Sequence, residues 1–283
     1  MSAPPTIAVI APGEMGAAIG RRLASAGARI VTRLEGRSGA SRRRAEAAGM
    51  ADVDQDGIAR ADMILSIVPP RDALALAEQL APALAAAITK PLYVDCNAVS
   101  PATVLKVAER IEGAGCPFAD AGIIGNPPTP EGYTPAIYTS GPEAPRFAAL
   151  NALGLDIRVM DGPVGQASAL KMCYAGLTKG LHAVGVSVLL GAIEAGIGGP
   201  FLEEMAASQP QLLAYFRQRS PGIFPKAYRW VAEMEEIGAF LGGGAATLYD
   251  GAARQFERLA QDRDGDRSDE TTLLQILRRP DGV

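Results

Sequence analysis

Ala11-Pro12-Gly13-Glu14-Met15-Gly16 follows a short β-rich run and leads into a helical stretch that carries Gly20 one turn on. Glycines so placed serve an anion. Gly13 lets the backbone approach a pyrophosphate, Gly16 lets the helix press on the sheet, and the helix start offers free N–H groups. Pro12, Gly13, Glu14 and Met15 are therefore the candidate phosphate contacts. Ala11 stands where GxGxxG has its first glycine, so the position of the loop at a strand-to-helix turn carries the assignment. About 20 residues further on, where an acid normally grips a ribose 2′-hydroxyl, the chain reads Thr32-Arg33-Leu34-Glu35-Gly36-Arg37-Ser38. Arg33 and Arg37 with the Ser38 hydroxyl suit a 2′-phosphate, because guanidinium groups bind phosphate oxygens in a bidentate way. NADP is favoured over NAD, with Glu35 as the dissenting residue. Arg42, Arg43 and Arg44 are expected on the solvated face of a helix.

Ile64-Leu65-Ser66-Ile67-Val68-Pro69-Pro70 reads as a buried strand ending in a proline pair, which places Val68 and Pro69 beside the ligand edge of an open sheet. In Asp95-Cys96-Asn97-Ala98-Val99-Ser100-Pro101, Pro101 suits the first helical position and Ser100 its cap. Further on, Lys171, Tyr174, Thr178 and His182 fall along one face of a long apolar helix. A polar stripe there needs a reason. His182, the only histidine, lies about 16 Å along the helix from Lys171 and reads as a hydrogen-bonded core residue. Trp230 and Glu233 are read as packing and solvated residues, with a role across a dimer as the alternative.

These residues need elements to hold them. Short β-rich runs at Thr6–Ala11, Arg29–Thr32, Met63–Val68, Leu92–Asp95, Cys116–Ala119, Ala136–Thr139 and Ile157–Met160 alternate with helical stretches, which predicts a doubly wound, mostly parallel α/β sheet of Rossmann type. The alternation stops near residue 163. From Gly165 one long helix runs to about Ala195, followed by further helical segments. The expected domains are thus residues 1–163, which bind the dinucleotide, and residues 164–283, the interdomain helix and an all-α domain. The stretch Gln261–Glu270, dense in Asp and Arg, is expected to be a solvated loop.

Composition narrows the partners. With 27 Lys+Arg against 31 Asp+Glu the net charge is only −4, too weak a field to hold nucleic acid or an anionic membrane. Cys96, Cys116 and Cys173 form no disulfide or zinc spacing, so no metal is expected. The N-terminus lacks a basic region and an apolar signal core, which points to the cytoplasm. Leu181–Ile193 is shorter than the roughly 20 residues a membrane span requires and reads as a buried helix. Its apolar surface predicts a homodimer through the helical domain.

Gly13-Glu14-Met15-Gly16, Ser66-Ile67-Val68-Pro69, Asp95 to Pro101, Asp120-Ala121-Gly122-Ile123-Ile124-Gly125 and Ala169-Leu170-Lys171-Met172 occur in the order and at the distances of the β-hydroxyacid dehydrogenases. The chain resembles that superfamily, which includes 3-hydroxyisobutyrate and 6-phosphogluconate dehydrogenases, over nearly its whole length. The resemblance implies a Rossmann domain, a catalytic lysine at Lys171 on a long helix, and a helical domain that dimerises. It also places Asn97, Gly122, Ile123, Ile124 and Tyr174 around a small-molecule substrate, with Asn97 touching the cofactor as well. Departures are visible. Asn97-Ala98 replaces Ser-Thr, Ile124-Gly125-Asn126 replaces the Ser-Gly-Gly that holds a substrate carboxylate, and Tyr174-Ala175 replaces an asparagine pair. Tyr228 to Ile237 resembles a less characterised branch with its own C-terminal domain.

The expected activity is hydride transfer between NADP and a small hydroxy acid or related alcohol or carbonyl, with Lys171 as general acid/base. Imine reduction in a related fold is one alternative, against which the retained Lys171 argues. A non-catalytic NADP(H)-binding sensor is another.

Overall fold

The computed structural model describes residues 3–278, and the chain divides into two units, Met1–Met172 and Cys173–Val283. In the first unit eight strands, β1 (Thr6–Ile10), β2 (Arg29–Thr32), β3 (Ala51–Asp52), β4 (Met63–Ser66), β5 (Leu92–Asp95), β6 (Phe118–Ile124), β7 (Ala136–Ser140) and β8 (Asp156–Val159), form one sheet. Its order is β3-β2-β1-β4-β5-β6-β7-β8, parallel except for the β6–β7 pair. The helices are α1 (Glu14–Ser25), α2 (Gly39–Ala47), α3 (Gln55–Ala59), α4 (Ala73–Ala86), α5 (Pro101–Gly113) and α6 (Ala144–Ala148). The order steps outward both ways from β1 and β4, the switch point where such sheets open a crevice at their strand carboxyl ends.

Buried strands explain the apolar runs. Ile7, Val9, Ile30, Leu65 and Val94 pack in one core, while Ala8, Ile64, Tyr93 and Phe118 pack in another. Period-two alternation thus feeds two separate layers of helices. α5 begins as expected, with Ser100 Oγ accepting from the Thr103 N–H and Pro101 at the first position. β3 and α3 escaped the sequence reading because two and five residues are too short to show a period. β6 reaches Ile124, beyond the expected end at Ala119, because its antiparallel partner β7 continues the ladder past Asp120 and Gly122.

α7 (Gln166–Glu194) is continuous across the boundary between the units. At 29 residues it is long and apolar enough to cross a membrane by length and composition, longer than the Leu181–Ile193 core of the expectation. Met172, Ala175, Ala183, Val186, Leu189 and Leu190 are buried, as in a core helix. The boundary falls after Met172, several residues into the helix.

The second unit adds α8 (Gly198–Ser208), α9 (Pro210–Arg219), α10 (Ala227–Leu241), α11 (Gly243–Asp264) and α12 (Ser268–Leu277). Gln261–Glu270 is not the expected solvated loop. α11 runs on to Asp264 and α12 opens at Ser268, with only a tight turn between. Charge density here marks internal pairing. Buried Glu270 accepts from Arg263 and Arg267 at 2.9 Å, Asp269 pairs with Arg258, and the Asp262 carboxylate caps the N–H groups of Asp269 and Glu270.

Candidate active site

The loop between β1 and α1 has the shape an anion site needs. Gly13 N–H donates to the Ala11 carbonyl at 2.8 Å, and Gly13 caps α1 without any side-chain acceptor. A Cβ on Gly16 would stand 2.1 Å from the Ala11 oxygen, so no larger residue fits there. A Cβ on Gly13 would meet nothing within 4 Å. That open space, at an uncapped helix start, fits the pyrophosphate of a dinucleotide. Pro12 is buried, Glu14 is exposed, and Met15 packs its side chain against the core.

The loop after β2 differs in detail from the expectation. Arg33 forms a short ion pair with exposed Glu35, which holds that carboxyl below its usual range, and reaches Gln55. Arg37 makes no side-chain hydrogen bond or ion pair among the described residues, and it is half-buried. Ser38 is the N-cap of α2: its Oγ accepts from Ser41 N–H and donates to Ser41 Oγ, so its hydroxyl is already engaged. Arg42 and Arg44 also depart from a merely solvated face. Arg42 donates to the Leu34 and Arg37 carbonyls, and Arg44 Nε to the Pro12 carbonyl at 3.0 Å.

Across the strand ends runs a row of buried polar residues. Ser66, Asp95, Asp120 and Ser140 are successive partners on β4, β5, β6 and β7, all fully buried. Asn97, expected to contact substrate and cofactor, is instead spent inside this row. Its Oδ1 accepts from Val68 N–H at 2.7 Å, and its Nδ2 donates to Ser66 Oγ and Asp95 Oδ2, each at 2.9 Å. With both amide protons used and 2% of its surface exposed, Asn97 braces the Val68-Pro69 turn. Val68 is half-buried and Pro69 exposed on that turn. Burial pushes the Asp95 carboxyl up to about 7, helped by the nearby Asp120 charge and opposed by the Asn97 bonds.

Asp120 holds the start of α7. Its Oδ2 accepts from Gly165 N–H at 2.9 Å, Ser168 N–H at 3.0 Å and Ser140 Oγ at 3.1 Å, and its Oδ1 from Ser168 Oγ at 2.7 Å. Ser140 Oγ in turn accepts from Ala167 N–H. A carboxylate on these orphan N–H groups is well placed against the helix dipole. Gly122 completes the seat, since a Cβ there would lie 2.9 Å from both Lys171 Cβ and the Ala167 oxygen. Lys171 is therefore pressed against β6 and left half-buried, which is why its turn of helix belongs to the sheet unit. Ile123, an expected substrate contact, points into the sheet core, as the residue after Gly122 must on a pleated strand. Ile124 is half-buried at the strand end. Asp120, Ser140, Ser168 and Arg44 were missed as working residues. An acid repeated at strand positions that are otherwise apolar was the available signal, because a buried charge must find donors.

In the helical unit Tyr174 is 52% exposed, and Thr178 Oγ1 bonds back to its carbonyl. His182 is a core residue, but not the hydrogen-bonded one expected. Its ring stacks between Tyr215 at 5.3 Å and Trp230 at 5.8 Å, and neither ring nitrogen has a partner among the described residues. Burial, with the charges of Arg219 and Lys179, brings it down to about 4. Glu233 is buried in a short ion pair with Lys179, and Trp230 packs on Phe256, so both are structural.

Residues 6–153 match the family described as the NAD binding domain of 6-phosphogluconate dehydrogenase. The chain belongs to that family. With it the chain joins the β-hydroxyacid dehydrogenase superfamily, in a branch whose residues 192–259 match a domain of unknown function. An uncharacterized 28.5 kDa protein of Methanothermus fervidus is 29% identical over 188 residues, 66% of this chain and 70% of that protein. The conserved protein MTH1747, of unknown function and described as structurally similar to 3-hydroxyacid dehydrogenases, is 28% identical with a TM-score of 0.67, over 91% of this chain and 98% of its own. The Mycobacterium tuberculosis 3-hydroxyisobutyrate dehydrogenase, solved with L-serine, shares the fold at 20% identity and TM-score 0.67, over 98% of this chain and all of its own.

Proposed function

We propose that this protein is an NADP-dependent oxidoreductase that moves a hydride between the nicotinamide and the hydroxyl- or carbonyl-bearing carbon of a small hydroxy acid or related substrate. The observation that carries this reading is the Lys171 seat, where Asp120 and Gly122 fix a lysine against β6 at the ligand edge of a dinucleotide-binding sheet. The cofactor, when bound, supplies the hydride acceptor or donor. Pro12 to Met15 would hold its pyrophosphate, and Arg37, with Arg33, its 2′-phosphate.

Lys171 manages the proton. In oxidation its neutral amine accepts the substrate hydroxyl proton as the hydride departs, and in reduction its ammonium form returns a proton to the carbonyl oxygen. Gly122 and the end of β6 at Ile124 border the substrate beside it. The lack of a Ser-Gly-Gly at 124–126 favours a substrate held differently from hydroxyisobutyrate.

Turnover of a hydroxy-acid panel with NADP tests the activity. Lys171→Met keeps the methylene packing, so cofactor affinity should survive while the rate falls by roughly 10²–10⁴. Near-native turnover in this variant would refute the assignment. Arg37→Ala is expected to weaken NADPH far more than NADH, and equal affinity of the native protein for both would remove the NADP preference. We also propose a homodimer through α7, whose Tyr174, Leu177, Val184 and Val188 present an exposed apolar stripe at helical spacing. A monomeric mass by light scattering at micromolar concentration would exclude it. The three cysteines are free, as in a reducing cytoplasm.

A further inference from the structure

Helix α2 reaches back to the phosphate loop. Pro12 is buried, and among the described residues no backbone N–H of the turns and loops donates to its carbonyl, which as a buried acceptor needs a donor from elsewhere. Arg44 supplies it, Nε to Pro12 oxygen at 3.0 Å, while its Nη2 donates to Ser41 Oγ at 3.1 Å. Ser41 is joined to Ser38, the cap of α2, through both its N–H and its hydroxyl. One hydrogen-bonded chain, Ser38–Ser41–Arg44–Pro12, thus links the loop that would meet the ribose phosphate to the loop that would meet the pyrophosphate. The opposite side of the phosphate loop is held by Gly16 packed on the Ala11 carbonyl. Only a planar fork with several fixed donors serves Pro12 and Ser41 together.

We propose that Arg44 is a positioning residue for the dinucleotide, bracing the Pro12–Gly13 turn in its binding shape before any ligand arrives. This rests on the reading of that turn as the dinucleotide site. A loop held in its bound shape loses less freedom on binding, so the brace acts on affinity for every ligand that uses the pyrophosphate cradle. It therefore separates Arg44 from Arg37, whose effect is confined to NADPH.

The test combines hydrogen exchange on the unliganded protein with titration of NADPH and NADH. In Arg44→Met the Gly13 and Ala17 amides are expected to exchange about tenfold faster than in the native protein, with both dinucleotides weakened by a similar factor of about ten. Arg44→Lys is the second variant, for the case in which Met does not fold. It retains the charge but not the fork, and is expected to show the same faster exchange. Unchanged exchange with both affinities reduced would make Arg44 a direct pyrophosphate ligand and overturn the proposal. Loss confined to NADPH would make it a 2′-phosphate ligand and overturn it equally, as would no change at all. A native protein that binds neither dinucleotide would overturn the assigned function and Arg44's role in it together, and that outcome is read from the native protein alone.

Discussion

Replacing Asp120 tests whether a buried carboxylate holds the start of α7 in place. In the native protein four donors converge on it: Gly165 N–H, Ser168 N–H, Ser168 Oγ and Ser140 Oγ. Asp120→Ala leaves two buried amides without an acceptor, since hydroxyls can turn away but N–H groups cannot. Two unmet donors at about 1–3 kcal/mol each, partly offset by the desolvation no longer imposed on a charge, give an expected loss of about 2–5 kcal/mol. Asp120→Asn behaves differently. Its carbonyl oxygen can take the Oδ2 place and keep both amides satisfied. Its NH₂ then stands at the Oδ1 place, where the Ser168 hydroxyl can reverse and accept. Only the charge assistance is lost, about 1–2 kcal/mol. Urea unfolding followed by far-ultraviolet circular dichroism measures both, with the shift in midpoint at constant slope giving the difference. Trp230 is the single tryptophan and lies in the helical unit, so its fluorescence reports that unit separately. Equal losses for Ala and Asn, or a loss below about 1 kcal/mol for Ala, would show that these hydrogen bonds do not hold the helix.

Three further outcomes follow from single positions. Gly16→Ala places a Cβ where only 2.1 Å separates it from a backbone oxygen, so dinucleotide binding should vanish and the melting temperature should fall; native-like NADPH affinity would contradict the loop geometry. Gly122→Ala forces β6 from the helix at Ala167 and Lys171, and is expected to speed amide exchange at the start of α7 while sparing NADPH binding; unaltered exchange would mean the contact is slack. For His182 the folded ring is brought down to about 4 from an ordinary value of 6.5, so the fold prefers the neutral form. That contribution is present in full above pH 6.5 and disappears as the pH drops toward 4. Between pH 7 and 5 the native protein should lose about 1–2 kcal/mol more than His182→Phe, and parallel profiles for the two would exclude the histidine as the cause.

What the sequence by itself determined is local. The strand and helix periods, the glycine turn, the Ser100-Pro101 helix start and the five ordered motifs each lie within a few residues, so chain geometry alone limits them. That was enough for the α/β unit, the long helix carrying Lys171 and the family. Misreadings arose where a residue's role depends on distant partners. Gln261–Glu270 looked solvated because charges are normally hydrated, yet Arg263, Arg267 and Arg258 neutralise Glu270 and Asp269 once α11 and α12 meet. Asn97 looked like a ligand contact because it follows a strand end, but its amide closes on Val68 and Ser66, about 30 residues away. Asp120, the residue that seats Lys171, bonds to groups 20 to 48 positions further along the chain. Such contacts have no signature in spacing. A buried polar group must find its donors somewhere, and only the tertiary structure decides which ones it finds.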